Sequence, residues 1–453
     1  MPSVVSWSME HEPVEQATSC LKKVGQKQLP MAAQQEESVK LTETSTNTNV
    51  DILGTNHEAP NIDWVPSFEN HMARVDRLSK SHARTTTLPP GFPERIEAPR
   101  TWTGHEILEE KSYIYVLSEA EVNEIEEALG YFKALPGKMG PDQVSKETFP
   151  LPMLSGRLED VSKELHFGRG FAILRGLEPK QYTPLDNIII YAGVTSYIAE
   201  TRGCQDSWGN MMIHIKDVGD KIASFKERQS PYANSAQPFH TDVCDVLAMY
   251  VLERASDGGN SSMASTAKVY NDIATTRPDV IHTLANDSWA FDKFQKPALW
   301  YTRPLLFNDE TQGPFFCFSR RVLTGSLVSP RTPGVPSITE EQAEALDIVH
   351  FTAEKNSFSV QLKRGDMQFL NNLAVFHARQ AFTDDNDEIG QKRHILRLWL
   401  RNEKYAWKTP DYLKDSWFEV YGESERMGKA CWMIHPNMKK RQVISRKDTC
   451  LHG

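Results

Sequence analysis

Cysteine is scarce and scattered in this 453-residue chain. No two cysteines form a C-x-x-C pair, and none belongs to a cluster with the spacing of a zinc site. A disulfide-stapled secreted domain is shorter and denser in cysteine. We therefore expect reduced thiols in a cytoplasmic protein. The six cysteines are Cys20, Cys204, Cys244, Cys317, Cys431 and Cys450.

Long apolar runs are also missing. The opening residues MPSVVSWSMEHEPVEQ carry acidic residues early and lack the apolar core of a secretory signal. The longest apolar stretch, near Ile188–Ala199, is interrupted by polar residues and is too short to span a bilayer. We expect no membrane partner.

Positive charge is in deficit, because 51 Lys and Arg face 60 Asp and Glu, a net charge of −9. A protein that binds nucleic acid usually presents a basic face. We therefore expect a small-molecule partner and no nucleic acid. Nothing in the sequence predicts the oligomeric state.

Composition divides the chain into three parts. Residues 1 to about 60 are rich in Gln, Glu, Ser, Thr and Asn and poor in apolar residues, which predicts disorder. A proline-containing connector, PPGFPERIEAPR, follows. We therefore predict a disordered segment with its connector over 1–95, a folded domain over 96–405 and a C-terminal extension over 406–453.

Within the folded part, short strand patterns outnumber helix patterns after residue 230. Capping signals at Ser118 and Thr339 precede residues with helical periodicity. Apolar runs over Gly170–Gly176 and Val246–Leu252 predict buried strands. Alternation on either side of Lys363–Asp366 predicts a hairpin. We expect an α+β protein with a mainly β core, an antiparallel sandwich or barrel.

The stretch PFHTDV places His240 and Asp242 two residues apart, on the same side of an extended chain. Chance alone predicts about two such H-x-[DE] pairs (14 × 60/453 ≈ 2), and one occurs. The pair is therefore equally compatible with a polar interruption near a strand and with two metal ligands. Its neighbours must decide between these alternatives.

A non-heme iron site of the facial type needs a second histidine from elsewhere in the chain. His377 lies 377 − 240 = 137 residues further on, inside the apolar stretch NNLAVFHARQAF. Arg393 and Arg397 follow in RHILRLWLRN. A guanidinium group near an iron site can hold a cosubstrate carboxylate with two parallel bonds.

Together these stretches resemble the taurine dioxygenase family (TauD/TfdA) of Fe(II)- and 2-oxoglutarate-dependent dioxygenases, its fungal branch in particular. The resemblance rests on PFHTDV, DGGNSS, NNLAVFHARQAF and RHILRLWLRN, with an early match at GFAILRGL. It covers about residues 100–405. It implies a double-stranded β-helix, or jelly-roll, with flanking helices.

The resemblance also implies the site. His240, Asp242 and His377 correspond to the iron ligands, and no catalytic residue is expected beyond them. Arg393 and Ser261 correspond to the residues that hold the far carboxylate of 2-oxoglutarate. Arg397 stands where some members hold an anionic substrate group. The implied cofactors are Fe(II), 2-oxoglutarate and O2.

The implied reaction oxidises a small organic molecule and releases succinate and CO2. Hydroxylation is favoured because halogenating relatives lack the carboxylate that Asp242 supplies. Taurine is not expected as substrate, because Ala236 stands where the taurine-hydroxylating enzyme has a side-chain amide. The alternative is a non-catalytic jelly-roll that binds a small molecule or a partner.

Overall fold

The computed structural model describes one compact part of the chain. The predicted disorder of the N-terminal segment falls largely outside the described residues, and Cys20 and Cys450 also lie outside them. The described residues are 60, 62–81, 84–137, 139–294, 299–384 and 392–446, together with the backbone of strands Thr48–Val50 and Asn56–Glu58.

Two β-sheets form the centre of the fold. The major sheet has seven strands and the minor sheet has four. The major sheet contains, in spatial order, Ile114–Val116, Phe171–Arg175, Met367–Asn371, Val246–Glu253, His394–Arg401 and Thr201–Gly203, and Met212–Ile215 also pairs with His394–Arg401. The minor sheet contains Phe358–Val360, Ser261–Ser265, Val375–Arg379 and Gln237–His240. Strand pairing within these sheets is antiparallel except between Ile114–Val116 and Phe171–Arg175.

Helices cover the outer faces of both sheets. The capping boxes predicted at Ser118 and Thr339 are present, and each begins a helix. The longer described helices are Phe68–Ser81, Gly104–Glu110, Glu119–Ala134, Ser155–His166, Pro184–Ile198, Thr266–Thr276, Pro278–Ala285, Glu340–Asn356 and Lys414–Tyr421. Shorter pairs of strands lie outside the two sheets, at Ala290–Asp292 with Trp300–Thr302, Leu306–Asp309 with Gly313–Phe316, and Asp257–Gly258 with Phe382–Thr383.

The core lies in three apolar layers, and alternate residues of one strand show why. In Phe171–Arg175, Ala172 and Leu174 pack among residues of the helices on the major sheet. Phe171 and Ile173 pack in the layer between the sheets. A third layer joins the minor sheet to helices Thr266–Thr276 and Glu340–Asn356. A strand buried on both faces reads as a continuous apolar run, as this one does.

The hairpin predicted around Lys363–Asp366 is wrong. Strands Phe358–Val360 and Met367–Asn371 both form, but they belong to different sheets. The turn between them is held at the major sheet, because Arg175 donates two hydrogen bonds to Asp366, at 2.8 and 2.7 Å. The chain therefore crosses between the sheets here, as a jelly-roll requires.

Two features of the N-terminal part were not predicted. Strands Thr48–Val50 and Asn56–Glu58 pair within the segment for which disorder is expected. Helix Phe68–Ser81 occupies part of the expected connector, and its Arg74 bonds the buried Asp347 at 2.6 Å. The domain boundaries themselves stay a prediction.

The longest apolar stretch and four of the six cysteines lie among the described residues. Among the described residues, no helix has the length and apolar character needed to cross a membrane. The apolar stretch near Ile188–Ala199 belongs to the buried helix Pro184–Ile198. The four described cysteines, Cys204, Cys244, Cys317 and Cys431, are free thiols.

Candidate metal centre

Three residues singled out in the sequence meet in the structure. His240, Asp242 and His377 are all buried, and one ligand atom from each lies within 4.8 Å of the others. Two imidazoles and one carboxylate form the donor set of a facial metal site. Residues that are 137 apart in the chain (377 − 240) are thus brought together.

The minor sheet explains how the two histidines meet. His377 lies directly opposite His240 across the antiparallel pair of strands Val375–Arg379 and Gln237–His240. Their ring centroids are 4.2 Å apart. The pairing register shifts between His377 and Arg379, so the regular pairing of the two strands is interrupted next to the site. Such irregularities are typical near active sites, where they redirect side chains.

Asp242 lies just beyond the strand and is held from several directions. Its backbone N–H donates to Asn372 Oδ1 at 2.8 Å, and Asn372 Nδ2 donates back to the Asp242 carbonyl at 2.6 Å. The carboxylate oxygen Oδ2 accepts from Arg397 Nη1 at 2.9 Å and from Trp399 Nε1 at 3.0 Å. The other oxygen, Oδ1, lies 3.8 Å from His240 Nε2.

Burial keeps both imidazoles in the form that binds metals. It is the main cause that lowers the pKa of His377 to about 3, and it also lowers the pKa of His240. Both rings are therefore neutral near pH 7. His240 Nδ1 lies 2.8 Å from the Pro238 carbonyl, which leaves Nε2 directed at Asp242. A backbone partner on the second ring nitrogen is usual for histidines that bind metals.

A small cavity beside these residues contains the predicted cosubstrate residues. Arg393, Ser261 and Arg397 line it together with His240 and His377. The rest of its lining comprises Gln237, Arg379 and the apolar residues Ile215, Leu247, Met249, Leu362, Ala378 and Ile395. The cavity thus combines three arginines with an apolar lining.

Arg393 is buried and lies close to a glycine turn. Its guanidinium lies 4.9 Å from the Phe382 ring centroid, and its Nη1 has no hydrogen-bond partner among the described residues. Burial lowers its pKa to about 10, so it remains charged near pH 7. A Cβ on Gly259, where φ is +69°, would lie 3.1 Å from Arg393 Nε. Glycine in DGGNSS therefore allows both the turn and the close approach.

Ser261 and Arg379 make contacts that the sequence did not reveal. Ser261 Oγ donates to Gln368 Oε1 at 3.1 Å, across the space between the sheets. Arg379 Nη2 donates to the carbonyls of Ser230, Ala233 and Ser235, all in the segment before strand Gln237–His240. Arg379 therefore holds in place the segment 230–235, which leads into the strand that carries His240.

Comparison with known proteins places the chain in a family. The model of the "Taurine catabolism dioxygenase TauD, TfdA family" matches residues 132–399, more than half of the chain. The chain belongs to the TauD/TfdA family. It is therefore a dioxygenase, as the resemblance implied. The predicted extent, about 100–405, contains the matched range.

Relatives within this family come from a fungus and a bacterium. The "Taurine hydroxylase-like protein SAT17" of Stachybotrys chartarum is 36% identical over 350 residues, 76% of this chain and 89% of the relative. This fungal relative agrees with the expected fungal branch. The "FR-33289 synthase" of Streptomyces rubellomurinus is 25% identical over 313 residues, 67% of this chain and 89% of the relative.

Among solved structures, asparagine oxygenase in complex with Fe(II), 2S,3S-3-hydroxyasparagine and succinate resembles this TauD/TfdA chain in fold. The TM-score is 0.50 at 15% identity, over 64% of this chain and 93% of that one. At this identity the likeness concerns the fold alone. It agrees with the jelly-roll predicted for the family.

Sequence reasoning missed part of what surrounds the three residues of this TauD/TfdA protein. Trp399 is absent from the predicted site, yet its indole N–H donates to Asp242 Oδ2 at 3.0 Å. A signal was present, because Arg397 and Trp399 are two residues apart on one strand and therefore point to the same face. For Gln205, which accepts from Arg397 Nε at 2.9 Å, no sequence signal was present.

Proposed function

We propose that this protein is an Fe(II)- and 2-oxoglutarate-dependent dioxygenase that hydroxylates a small organic molecule and releases succinate and CO2. The observation that carries the proposal is the buried triad of His240, Asp242 and His377, with ligand atoms within 4.8 Å of one another. Membership of the TauD/TfdA family supports the same reaction class.

The triad fits Fe(II) by the chemistry of its donors. Two neutral imidazoles and one carboxylate suit non-heme iron and leave further coordination positions for small ligands. A structural zinc site would instead have four protein ligands. The only cluster of potential metal ligands found among the described residues is this one. We therefore assign His240, Asp242 and His377 as the residues that would hold the metal.

Arg393 and Ser261 would hold the cosubstrate. Arg393 lines the cavity that contains His240 and His377, and its Nη1 is buried without a hydrogen-bond partner among the described residues. A buried cationic donor of this kind is costly to leave without a partner, and a carboxylate would satisfy it. Ser261 lines the same cavity and supplies a hydroxyl.

Iron held by these residues would supply, together with 2-oxoglutarate and O2, the oxidant for a C–H bond of the substrate. The protein's own residues position the reactants and exclude water. The apolar wall that includes Leu247, Met249 and Ile395 would keep water from the reacting atoms. Burial of His240 and His377 keeps both rings available as neutral ligands near pH 7.

The substrate is a small molecule, and we propose that it is not taurine. Ala236 offers no amide at the position where the taurine-hydroxylating enzyme has one. The expected substrate contact of Arg397 stays a prediction, since its Nε and Nη1 donate to Gln205 and Asp242. A succinate-release screen of sulfonates, amino acids, aryloxy acids and secondary-metabolite scaffolds, with mass detection of products, would identify it.

Substitution of His377 tests the metal assignment. We expect His377→Ala to lose bound iron and 2-oxoglutarate turnover, because one of three protein donors is removed. His105→Ala is the control, since His105 is exposed, with 82% of its side chain accessible. Iron content and succinate release measured on both variants decide the matter, and wild-type values in His377→Ala would refute the assignment.

A titration separates the proposal from the alternative of a non-catalytic jelly-roll. We expect a visible charge-transfer band when Fe(II) and then 2-oxoglutarate are added to the protein without oxygen. Arg393→Met should bind Fe(II) but give the band only at higher 2-oxoglutarate concentration. Absence of any band in the wild type would favour the non-catalytic alternative.

A further inference from the structure

We propose that Arg379 is a further cosubstrate-binding residue, whose guanidinium holds the far carboxylate of 2-oxoglutarate together with Arg393 and Ser261. This inference rests on the proposed function, and it adds a residue that the family resemblance did not imply for the site. Arg379 is buried and lines the same cavity as Arg393 and Ser261. Its hydrogen bonds to the backbone would then be only part of its role.

The pairing of the minor sheet places Arg379 beside Ser261. The two residues lie directly opposite each other across an antiparallel pair of strands. Opposite residues of such a pair have neighbouring side chains on one face of the sheet. Ser261 Oγ donates to Gln368 Oε1 on the major sheet, so this face lies between the two sheets. His377 lies two residues before Arg379 on the same strand and therefore shares this face.

Both arginines have donors that the fold does not use. Arg379 Nη2 donates to three backbone carbonyls, but its Nε is buried and has no hydrogen-bond partner among the described residues. Arg393 Nη1 is buried without a partner in the same way. Buried polar donors are costly to leave without a partner. A carboxylate has two acceptor oxygens, so it can accept from both guanidinium groups.

The two arginines also place two positive charges beside one aromatic ring. The guanidinium of Arg379 lies 5.3 Å from the centroid of the Phe382 ring, and that of Arg393 lies 4.9 Å from it. The carboxylates of this region are engaged elsewhere, because Asp217 pairs with another arginine and Asp384 accepts from the backbone N–H of Arg393 at 3.1 Å. Buried charges are stable when they are paired. The far carboxylate of 2-oxoglutarate would supply the missing negative charge.

A purely structural role is the alternative for Arg379. Its bonds to the carbonyls of segment 230–235 hold the chain that leads to His240, so a substitution can also disturb the metal site as a whole. A second keto acid distinguishes the two roles. 2-Oxopentanoate has the same chelating end as 2-oxoglutarate but carries a methyl group in place of the far carboxylate. A disturbed metal site weakens binding of both acids, whereas loss of a partner of the far carboxylate weakens binding of 2-oxoglutarate alone.

Arg379→Met tests the inference, because methionine keeps an unbranched side chain and loses the charge and all N–H donors. Arg303→Met is the matched control. Arg303 is also buried, its Nη1 donates to two backbone carbonyls at 2.7 and 2.9 Å, and its Nε has no partner among the described residues. Arg303 does not line the cavity that contains His240 and His377.

The measurement is the dissociation constant of each keto acid, taken from the anaerobic charge-transfer band of the Fe(II)-loaded protein. In Arg379→Met we expect 2-oxoglutarate to bind about tenfold more weakly, the loss of one charged hydrogen bond. The constant for 2-oxopentanoate should stay within about twofold of the wild type, because this acid has no far carboxylate. Both constants should be unchanged in Arg303→Met.

The outcomes separate this inference from the proposed function. Wild-type protein that gives no band with 2-oxoglutarate would refute the proposed function itself. If the wild type gives the band, an unchanged constant for 2-oxoglutarate in Arg379→Met would overturn the inference alone. An equal loss for both keto acids would also overturn it, because such a loss indicates a structural role.

Arg379→Lys replaces Arg379→Met if the methionine variant does not fold or does not bind Fe(II). Lysine keeps the charge and can still donate to a backbone carbonyl, but it lacks the planar pair of donors. For the inference to hold, this variant must also lose affinity for 2-oxoglutarate relative to 2-oxopentanoate. An unchanged preference between the two acids would overturn the inference.

Discussion

Two aspartates, three residues apart (245 − 242 = 3), have partners of the same kinds. Asp242 accepts from Arg397 and Trp399, and Asp245 accepts from Arg401 and Trp417. The difference lies in their surroundings. A ligand atom of Asp242 lies within 4.8 Å of ligand atoms of His240 and His377, whereas Asp245 belongs to no such group among the described residues.

An arginine and a tryptophan therefore support two different roles, a structural aspartate at Asp245 and a candidate metal ligand at Asp242. Asp245 uses both oxygens within the fold, so its contacts tie the loop to the chain around Trp417. Asp242 Oδ1 lies 3.8 Å from His240 Nε2, and Asp242 forms the candidate metal group with both histidines. The two imidazoles nearby distinguish the candidate ligand from its structural neighbour.

The largest effect that sharpens this comparison is expected from Asp242→Ala. Removal of a direct ligand should weaken Fe(II) binding by more than about 100-fold, beyond the loss typical of a ligand's partners. Anaerobic Fe(II) titration and succinate release measure it. Retention of tight Fe(II) binding would contradict the contrast between the two aspartates.

Arg401→Met probes the other member of the pair. Burial raises the pKa of Asp245, and Arg401, 2.6 Å away, opposes that rise. Loss of Arg401 leaves a buried carboxylate without its cation, which should reduce the free energy of unfolding by about 2 kcal/mol. The expected loss is smaller than for a fully buried pair, because 19% of the Arg401 side chain is accessible to solvent. Urea unfolding measures it.

The same variant also has to leave the metal site intact. We expect the Fe(II) dissociation constant of folded Arg401→Met to stay within about twofold of the wild type. A loss of Fe(II) affinity as large as that of Asp242→Ala would show that the two clusters act as one unit, and the comparison would fail.

Arg393→Lys sharpens the comparison from the side of the cosubstrate. Lysine keeps the charge but loses the planar pair of donors, so we expect the KM for 2-oxoglutarate to rise about tenfold, the loss of one charged hydrogen bond. The Fe(II) dissociation constant should not change, because none of the described contacts joins Arg393 to Asp242. Kinetics at varied 2-oxoglutarate concentration test this, with the Fe(II) titration as the internal control.

The smallest expected effect is on the pH dependence of the free energy of unfolding, and it arises beside strand His394–Arg401, which carries Arg397 and Arg401. His214 lies 2.7 Å from His394 at the start of that strand, and burial is the main cause that lowers the pKa of His214 to about 4. Between the ordinary histidine pKa of about 6.5 and pH 4, the unfolded chain binds a proton that the folded chain does not. The free energy of unfolding therefore falls as the pH falls through this window.

The expected contribution of His214 is a loss of about 1 kcal/mol at pH 5.5 relative to pH 7.5. Urea unfolding at the two pH values measures it, with His214→Gln as the variant in which this loss should be smaller. If His214→Gln loses as much unfolding free energy between pH 7.5 and pH 5.5 as the wild type, the pH dependence comes from other groups.

Individual helices and strands could be predicted, because they depend on sequence patterns that are local in the chain. Apolar runs predicted strands Phe171–Arg175 and Val246–Glu253, and the capping signals predicted helices Glu119–Ala134 and Glu340–Asn356. The triad was predicted only through resemblance, because PFHTDV alone lies within chance. Pairing across sheets could not be predicted. The expected hairpin failed because alternation reports which face of a strand is buried and carries no information on its partner.

The partners of Asp242 could not be predicted for the same reason, since they come from distant parts of the chain. Arg397 was chosen from the motif, but its contact with Asp242 depends on how one sheet faces the other. Asn372 lies in the stretch NNLAVFHARQAF with His377, but its two hydrogen bonds with the backbone of Asp242 could not be predicted from that stretch. Each of these contacts joins segments more than 100 residues apart, and a single sequence carries no signal for such pairs.

The pairing of His240 with His377 has a consequence for the newly made chain. The two rings meet only when the minor sheet has closed over the intervening 137 residues (377 − 240). A ribosome must release nearly the whole domain before both histidines can face Asp242. An unfinished chain therefore lacks at least one of the three candidate ligands, so the proposed iron site can form only late in synthesis.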